Sequence, residues 1–199
     1  QLYETTNNPV EKRVLYLNLR DFKMSGIGLE ENKQQRFNQI QKRLSELSSK
    51  FSNNILDSTK EFKQELTENE LQDVQESIKG VWLKEDKYIV TLDGPSYIAA
   101  MKNLPLSKTR EVIYKAYITR AAKENESIAN EIFKLRQEKA ELLGYKNYAE
   151  VSLESKMAKT IANVENMIDT LYQKSAQAAQ KEMDEIKNYA QSKNFHQMK

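Results

Sequence analysis

The stretch from residue 30 to residue 66 constrains the fold most strongly, because it contains neither proline nor glycine. Its apolar side chains recur mainly at alternating steps of three and four residues, which is the spacing of one face of an α-helix. The pattern therefore predicts one long amphipathic helix, roughly 55 Å in length at a rise of ~1.5 Å per residue. Such a helix needs partners along its seam, and we expect it to pack lengthwise against a helix at 160–191 or a pair within 107–143. The seam comprises Phe37, Ile40, Leu44, Leu47, Phe51, Ile55, Phe62 and Leu66.

The composition agrees with a mainly helical class. Five glycines and three prolines in 199 residues are too few for a β-sandwich or barrel, which needs a turn residue at nearly every strand end. Apolar residues make up 39% and charged residues 30% of the chain, which supplies a core and excludes wholesale disorder. We therefore predict an all-α fold of long antiparallel helices, and the composition marks no clear domain boundary within residues 1–199.

A change of pattern at residues 80–94 predicts one small element of β-structure. Val81-Trp82-Leu83 and Tyr88-Ile89-Val90-Thr91-Leu92 are rich in aromatic and β-branched residues, and the polar residues between them read as a turn. Gly80 would close a short helix just before this segment. We interpret residues 81–92 as a β-hairpin inserted at one end of the helical bundle.

The remaining helices are predicted from apolar spacing and from capping residues. Gly26 and Gly28 would end a helix over residues 10–24, since glycine adopts the positive φ of a C-terminal cap. Thr160 would cap the last helix, which reaches to about residue 191. Shorter helical segments are predicted at residues 71–78, 97–103, 107–118 and 124–143, and a short element follows at residues 151–157.

Charge and cysteine content exclude several classes of partner. The net charge is +2 with the two signs interleaved, so no strongly basic face is expected and nucleic acid is a poor candidate partner. No apolar run approaches the ~20 residues that span a bilayer. The absence of cysteine excludes disulfides and indicates a reducing compartment. We predict a cytoplasmic protein, or an organellar one if a targeting segment was removed. Because the sequence begins at Gln1 and ends in a polar stretch, we expect it to be part of a longer chain.

Histidine content limits the chemistry that the chain can perform. His196 is the single histidine, so a His-Glu-x-x-His zinc motif cannot be assembled, and a Ser-His-Asp triad would have to use His196, near the end of the sequence, as its base. Acidic pairs such as Glu30/Glu31 and Glu182/Glu185 are typical of solvated helix faces. We predict no catalytic, cofactor-binding or metal-binding residue and no bound cofactor in this chain.

Three further motifs have structural interpretations. Gly26-Ile27-Gly28 lacks the third glycine and the preceding strand of a dinucleotide-binding loop, and we interpret it as a helix stop. Asn125-Glu126-Ser127 matches a glycosylation acceptor, but a cysteine-free chain makes that match incidental. A mixed aromatic and basic set has helical spacing, which favours core packing with extended cations over binding of a single-stranded nucleic acid. The set is Arg110, Tyr114, Lys115, Tyr117 and Arg120.

Four ordered stretches carry a resemblance to a known family. They are Arg20-Asp-Phe-Lys-Met-Ser-Gly-Ile-Gly-Leu29, the segment from Arg36 to Asp57, Thr91-Leu-Asp-Gly-Pro-Ser-Tyr97, and Leu142-Leu-Gly-Tyr-Lys-Asn-Tyr-Ala-Glu-Val-Ser-Leu153 with Lys156-Met-Ala158. In this order and spacing they resemble the N-terminal half of the thimet oligopeptidase family of zinc peptidases, most closely its oligopeptidase A branch. The likeness covers about residues 10–190.

The resemblance implies a two-lobed helical enzyme whose lobes flank a channel that admits short peptides. It also implies zinc in the full-length protein, held by a His-Glu-x-x-His motif downstream of the region matched here, so no catalytic residue carries over. On this hypothesis residues 1–199 form a single helical lobe of a larger protein. The chain supplies channel wall and support, is inactive alone, and has as partners short peptide substrates and the catalytic remainder of the same polypeptide.

Two alternatives remain open. One is a free-standing interaction module that forms a coiled coil through the 37–66 seam. The other, more distant, is a nucleic-acid-binding protein.

Overall fold

Helices dominate residues 2–193, the part of the chain that the computed structural model describes. This confirms the predicted mainly α-helical class with a small β-element. The helices are α1 (Leu2–Thr5), α2 (Pro9–Met24), α3 (Glu31–Glu61), α4 (Glu76–Trp82), α5 (Gly94–Asn103), α6 (Ser107–Ile118), α7 (Ala122–Leu142), α8 (Tyr148–Leu153) and α9 (Ile161–Ser192), and the strands are β1 (Gln64–Glu65), β2 (Leu83–Lys84) and β3 (Lys87–Val90). No helix within this range is both long enough and apolar enough to cross a membrane.

The chain separates into two compact units. Glu30–Arg136 form one, which we call the central unit. The chain up to Leu29 together with the chain from Gln137 onward forms the other, which we call the terminal unit.

The long helix α3 is real but shorter than predicted. It begins at Glu31 and ends at Glu61, so the predicted end at residue 66 is wrong. Beyond it the backbone is extended, and Gln64 pairs with Val90 across β1 and β3. From Phe62 to Leu66 burial alternates with a period of two, which is the pattern of a strand. The four-residue spacing of Phe62 and Leu66 is compatible with the period of a helix and with that of a strand. The pairing of this segment with β3 makes it a strand.

Helices α3 and α7 pack lengthwise and antiparallel in the central unit, as expected for one of the two predicted partners. Early in α3, Arg43 forms a two-pronged ion pair with Glu131, at 2.6 and 2.9 Å. Later in α3, the side-chain amide of Asn54 donates to Asn125 at 2.8 Å. Phe37, Ile40 and Leu47 are the buried members of the α3 seam.

The predicted hairpin exists between β2 and β3, but its first strand is displaced. Val81 and Trp82 lie in α4, which continues past Gly80, so the predicted strand at 81–83 and the predicted stop at Gly80 are both wrong. A glycine within a helix destabilises it by only ~1 kcal/mol relative to alanine. Burial of the indole ring of Trp82 stabilises the fold by more than this cost. Trp82 is fully buried, and its ring nitrogen donates to the carbonyl of Ser96 at 3.2 Å.

The β-structure belongs to the main core of the central unit. Strand β1 adds to the hairpin to make a three-stranded antiparallel sheet in the order β1-β3-β2. Strand β3 contacts both α4 and α5, so the sheet is not an appendage at one end of the helices. The core cluster consists of Leu66, Leu71, Val74, Trp82, Val90, Leu92, Ala100, Leu104 and Ile113.

The capping residues of the terminal unit act as predicted. Gly26 and Gly28 follow α2 with φ of 82° and 95°, which confirms the helix stop. Thr160 caps α9, because its hydroxyl accepts a hydrogen bond from the amide of Asn163 at 3.1 Å. Tyr145 contacts the end of α2, because its hydroxyl donates to the sulfur of Met24 at 3.6 Å.

Candidate functional site

Acidic side chains in the structure are dispersed along helix surfaces. Within residues 2–193 no group of three histidine, cysteine, aspartate or glutamate side chains converges in a way that could hold a metal ion. Glu30 and Glu185 are exposed and face lysines on their own helix turns, Lys33 at 3.5 Å and Lys181 at 3.9 Å. His196 lies outside the described residues.

The aromatic and basic set of α6 is largely committed to structural contacts. The guanidinium of Arg110 donates to the carbonyls of Leu104 and Pro105 and so caps the end of α5. Lys115 pairs with Glu111 one turn earlier, at 2.5 Å. These contacts support the interpretation of the cations as structural.

Tyr117 lies at the centre of a small stack. Its ring stacks on Tyr97 with centroids 3.9 Å apart and planes 15° apart. The guanidinium of Arg120 lies 3.7 Å from the ring centroid of Tyr117 and donates to the carbonyl of the same residue at 2.8 Å. Arg120 also donates to the hydroxyl of Thr59 at 3.2 Å. The stack therefore joins α6 to the end of α3, while Tyr114 of the same set is 46% exposed.

Asn125, the acceptor of the glycosylation match, is only 5% exposed. Its amide nitrogen donates to the carbonyl of Phe51 at 3.1 Å, and its oxygen accepts from Asn54 at 2.8 Å. A buried amide with both ends engaged is closed to modification. The residue serves instead as a polar clamp between α3 and α7.

Glu70 is a polar centre that the sequence analysis missed. Its carboxylate accepts from the amide and hydroxyl of Thr67, each at 2.9 Å, and from the hydroxyl of Thr109 at 2.6 Å. Burial alone would raise the pKa of Glu70, but these three hydrogen bonds outweigh it and hold the pKa below its ordinary value. The Thr67-x-x-Glu70 spacing is that of a capping box, and this signal could have revealed the cluster. It lines a shallow cavity of about 400 Å³.

A second shallow groove, about 350 Å³ in volume, lies between α3 and α7. Phe133 stands on its rim with 65% of its surface exposed, and Phe51 lines it while only half-buried. The groove is mainly apolar, and Arg136 is one of its lining residues. In the Glu70 cavity the hydroxyls of Thr67 and Thr109 donate to a carboxylate whose pKa is lowered, and a lowered pKa makes that carboxylate a weak base.

An uncovered apolar surface of the terminal unit lies on α9. Ile168, Leu171 and Ile186 are 55%, 58% and 52% exposed, and no residue of this helix is buried. Within residues 2–193 the chain thus forms a helical scaffold that leaves apolar surfaces exposed.

Comparison with known proteins decides the family. The model of Peptidase family M3 matches residues 100–199. The chain belongs to peptidase family M3. Oligopeptidase A of Haemophilus influenzae is 40% identical over 91% of this M3 chain, and oligopeptidase A of Escherichia coli is 36% identical over 94% of it. The probable cytosolic oligopeptidase A of Arabidopsis thaliana is 34% identical over 91%. These findings confirm the resemblance proposed from the ordered motifs.

The M3 chain spans less than a third of the length of these relatives. It covers 29% of the Haemophilus protein, 30% of the Escherichia protein and 28% of the Arabidopsis protein.

Proposed function

We propose that the chain is the helical N-terminal part of a zinc metallo-oligopeptidase that hydrolyses short peptides inside a narrow channel. The observation that carries the proposal is the match to oligopeptidase A at 40% identity over 91% of this chain but only 29% of the relative. Residues 1–199 would form one helical lobe of the enzyme, and the reacting groups would come from the remaining portion.

The residues present do not fit a zinc site. Within residues 2–193 no suitable cluster of ligands converges, and a chain with one histidine cannot supply the His-Glu-x-x-His motif. We therefore assign the metal and the chemistry to the absent portion, and to this chain the role of channel wall and support. A core that ties the sheet to α4, α5 and α6 gives such a wall the rigidity that size selection requires.

Peptide hydrolysis tests the proposal directly. The 199-residue chain, assayed with an internally quenched peptide of about ten residues and added zinc, should show no turnover above buffer. A chimera in which this chain replaces the aligned segment of Haemophilus oligopeptidase A should cleave the peptide, and a chelator should abolish that cleavage. The rest of the Haemophilus protein without any N-terminal segment is the matched control.

Two results would contradict the proposal. Metal-dependent cleavage by the 199-residue chain alone would show that it holds its own reaction centre. A folded, zinc-loaded chimera that cleaves no peptide would show that this chain does not belong to such an enzyme.

The coiled-coil alternative loses support from α3. Phe37, Ile40 and Leu47 of its seam are already buried, so the seam is not free to pair with a second chain. Sedimentation of the chain alone should give no oligomer that depends on these residues. Cellular location stays a prediction, since the relatives include proteins named as cytosolic and as chloroplastic or mitochondrial.

A further inference from the structure

Helix α9 presents an uncovered apolar face. The helix runs for 32 residues from Ile161 to Ser192, about 48 Å at ~1.5 Å per residue. Five turns of an α-helix take eighteen residues, so Val164 lies in line with Glu182, and Ile168 in line with Ile186. We define the α9 face as Val164, Ile168, Leu171, Ala178, Met183 and Ile186.

Side chains on this face lack the burial that an apolar seam normally receives. Leu171, Met183 and Ile186 are 58%, 44% and 52% exposed. Between residues 165 and 189 only Ala176 is even half-buried. The seam of α3, in contrast, buries Phe37 and Ile40 almost completely. Two helices of similar length and pattern thus differ in whether the described part of the chain supplies a cover.

The helix has few other sources of stability. Its ion pair between Lys181 and Glu185 is long, at 3.9 Å, and both side chains are highly exposed, so it contributes little. Most helical stability in proteins comes from tertiary packing of the apolar face. An uncovered face of this length marks an interaction surface.

We infer that the α9 face docks against the catalytic remainder of a longer M3 polypeptide, an inference that rests on the proposed function. The family model matches residues 100–199 and so includes α9, which makes this helix part of the family's own domain. Because the chain covers only 29% of Haemophilus oligopeptidase A, about seven-tenths of such a protein is available as a cover. A second copy of this chain is not needed to bury the face.

Glu182 adds a requirement to the docking surface. Its carboxylate lies in line with the apolar residues, between Ala178 and Ile186, and it is exposed. Burial of a carboxylate among apolar groups is costly unless a donor meets it. The partner surface is therefore apolar and carries one cationic or amide donor opposite Glu182.

Engineered cysteines test the inference cleanly, because the chain contains none. Leu171→Cys and Ile186→Cys place thiols on the α9 face, and Gln177→Cys places the control thiol on the opposite side of the same helix. Each variant is prepared both as the 199-residue chain and as the Haemophilus chimera. The rate of alkylation of each engineered cysteine is then measured by mass spectrometry on the peptide that contains it.

In the 199-residue chain all three thiols should react within about threefold of one another, as exposed helical positions do. In the chimera the two face thiols should react at least about tenfold more slowly, while Gln177→Cys changes by less than about threefold. Equal rates at face and control positions in a folded chimera would overturn the inference. Slow, concentration-dependent labelling of the face in the 199-residue chain would also overturn it, because a second copy would then be the cover.

A measurement on the 199-residue chain keeps the inference falsifiable if the chimera is insoluble. Leu171→Lys should shift the thermal midpoint of this chain by no more than Gln177→Lys does, because both positions are exposed there. A markedly larger loss with Leu171→Lys would show that the face is already covered, and would refute the docking.

Peptide hydrolysis separates this inference from the proposed function. A chimera with protected face thiols but no peptidase activity would contradict the function and support the docking. An active chimera with unprotected face thiols would do the reverse.

Discussion

The amide of Asn125 fastens α3 to α7, and its removal should weaken the central unit measurably. Asn125 is 5% exposed and makes two hydrogen bonds, to the carbonyl of Phe51 and from the amide of Asn54. Each such bond contributes about 1 kcal/mol net, and a small cavity adds to the loss. We therefore expect Asn125→Ala to lower the free energy of unfolding by about 2–3 kcal/mol. At roughly 2–4 °C per kcal/mol for a chain of this size, the midpoint should fall by about 4–12 °C.

Urea denaturation followed by the fluorescence of Trp82 measures this effect, since Trp82 is the only tryptophan and lies in the core of the central unit. A double-mutant cycle with Asn54→Ala should give a coupling energy of about 1 kcal/mol, because the two amides share one bond. Asn53→Ala is the matched control; its side chain is exposed on α3, and it should change stability by less than about 0.5 kcal/mol. A coupling energy below about 0.3 kcal/mol would refute the clamp.

Three further predictions follow from burial, hydrogen bonding and backbone geometry. Phe37→Ala should lower the free energy of unfolding, measured by urea denaturation, by about 3–5 kcal/mol, since Phe37 is 1% exposed. Phe51 is half-buried on the open groove, so Phe51→Ala should lower it by only about 1–2 kcal/mol. Equal losses of stability for the two variants would contradict this difference in burial. Thr109→Val should cost about 1 kcal/mol at neutral pH. Because the folded pKa of Glu70 is lowered, the stability that its ionised carboxylate contributes is present above the ordinary value of 4.5 and is lost as pH falls through the folded pKa. The loss of thermal stability caused by Thr109→Val should therefore shrink in acid. A loss of stability that does not change with pH would argue against a role for ionised Glu70. Lys159 is exposed with a φ of 65°, so Lys159→Gly should relieve strain and raise stability by up to about 1 kcal/mol, and a loss of more than about 0.5 kcal/mol would contradict that reason.

Capping signals in the sequence correctly predicted the end of α2 and the start of α9. Gly26, Gly28 and Thr160 act at the predicted places because each works through its own backbone or through an amide three residues away. Such interactions depend on neighbours in sequence, and they are therefore visible without a structure. The family resemblance was likewise carried by ordered local motifs.

The errors arose where distant contacts override local pattern. Phe62 and Leu66 fit the helical seam of α3, yet the partner strand β3 draws this segment into the sheet. Trp82 lies in a segment whose residue types are typical of a strand. In the structure it lies instead at the end of a helix, where the core buries it and its ring nitrogen donates to the carbonyl of Ser96. Both outcomes depend on residues more than a dozen positions away, which periodicity alone does not reveal.

Polar contacts between residues distant in sequence were the least accessible to prediction. No catalytic, cofactor or metal residue was predicted, and this remains a prediction. The polar centre at Glu70 was overlooked although Thr67-x-x-Glu70 has capping-box spacing, because the third partner, Thr109, is distant in sequence. The role of Asn125 was hidden for the same reason.

The contrast between α3 and α9 explains what an amphipathic pattern can and cannot establish. Both helices carry a continuous apolar stripe, and in each the stripe predicts that something must cover it. For α3 the described chain supplies α7, with paired polar contacts at Arg43 and Asn54 that set the register. For α9 it supplies no such set of contacts along most of its length. Periodicity thus identifies the helix face that must be buried. Which part of a protein covers that face depends on residues elsewhere in the sequence. The uncovered face of α9 was therefore recognised only once the burial of each of its side chains was known.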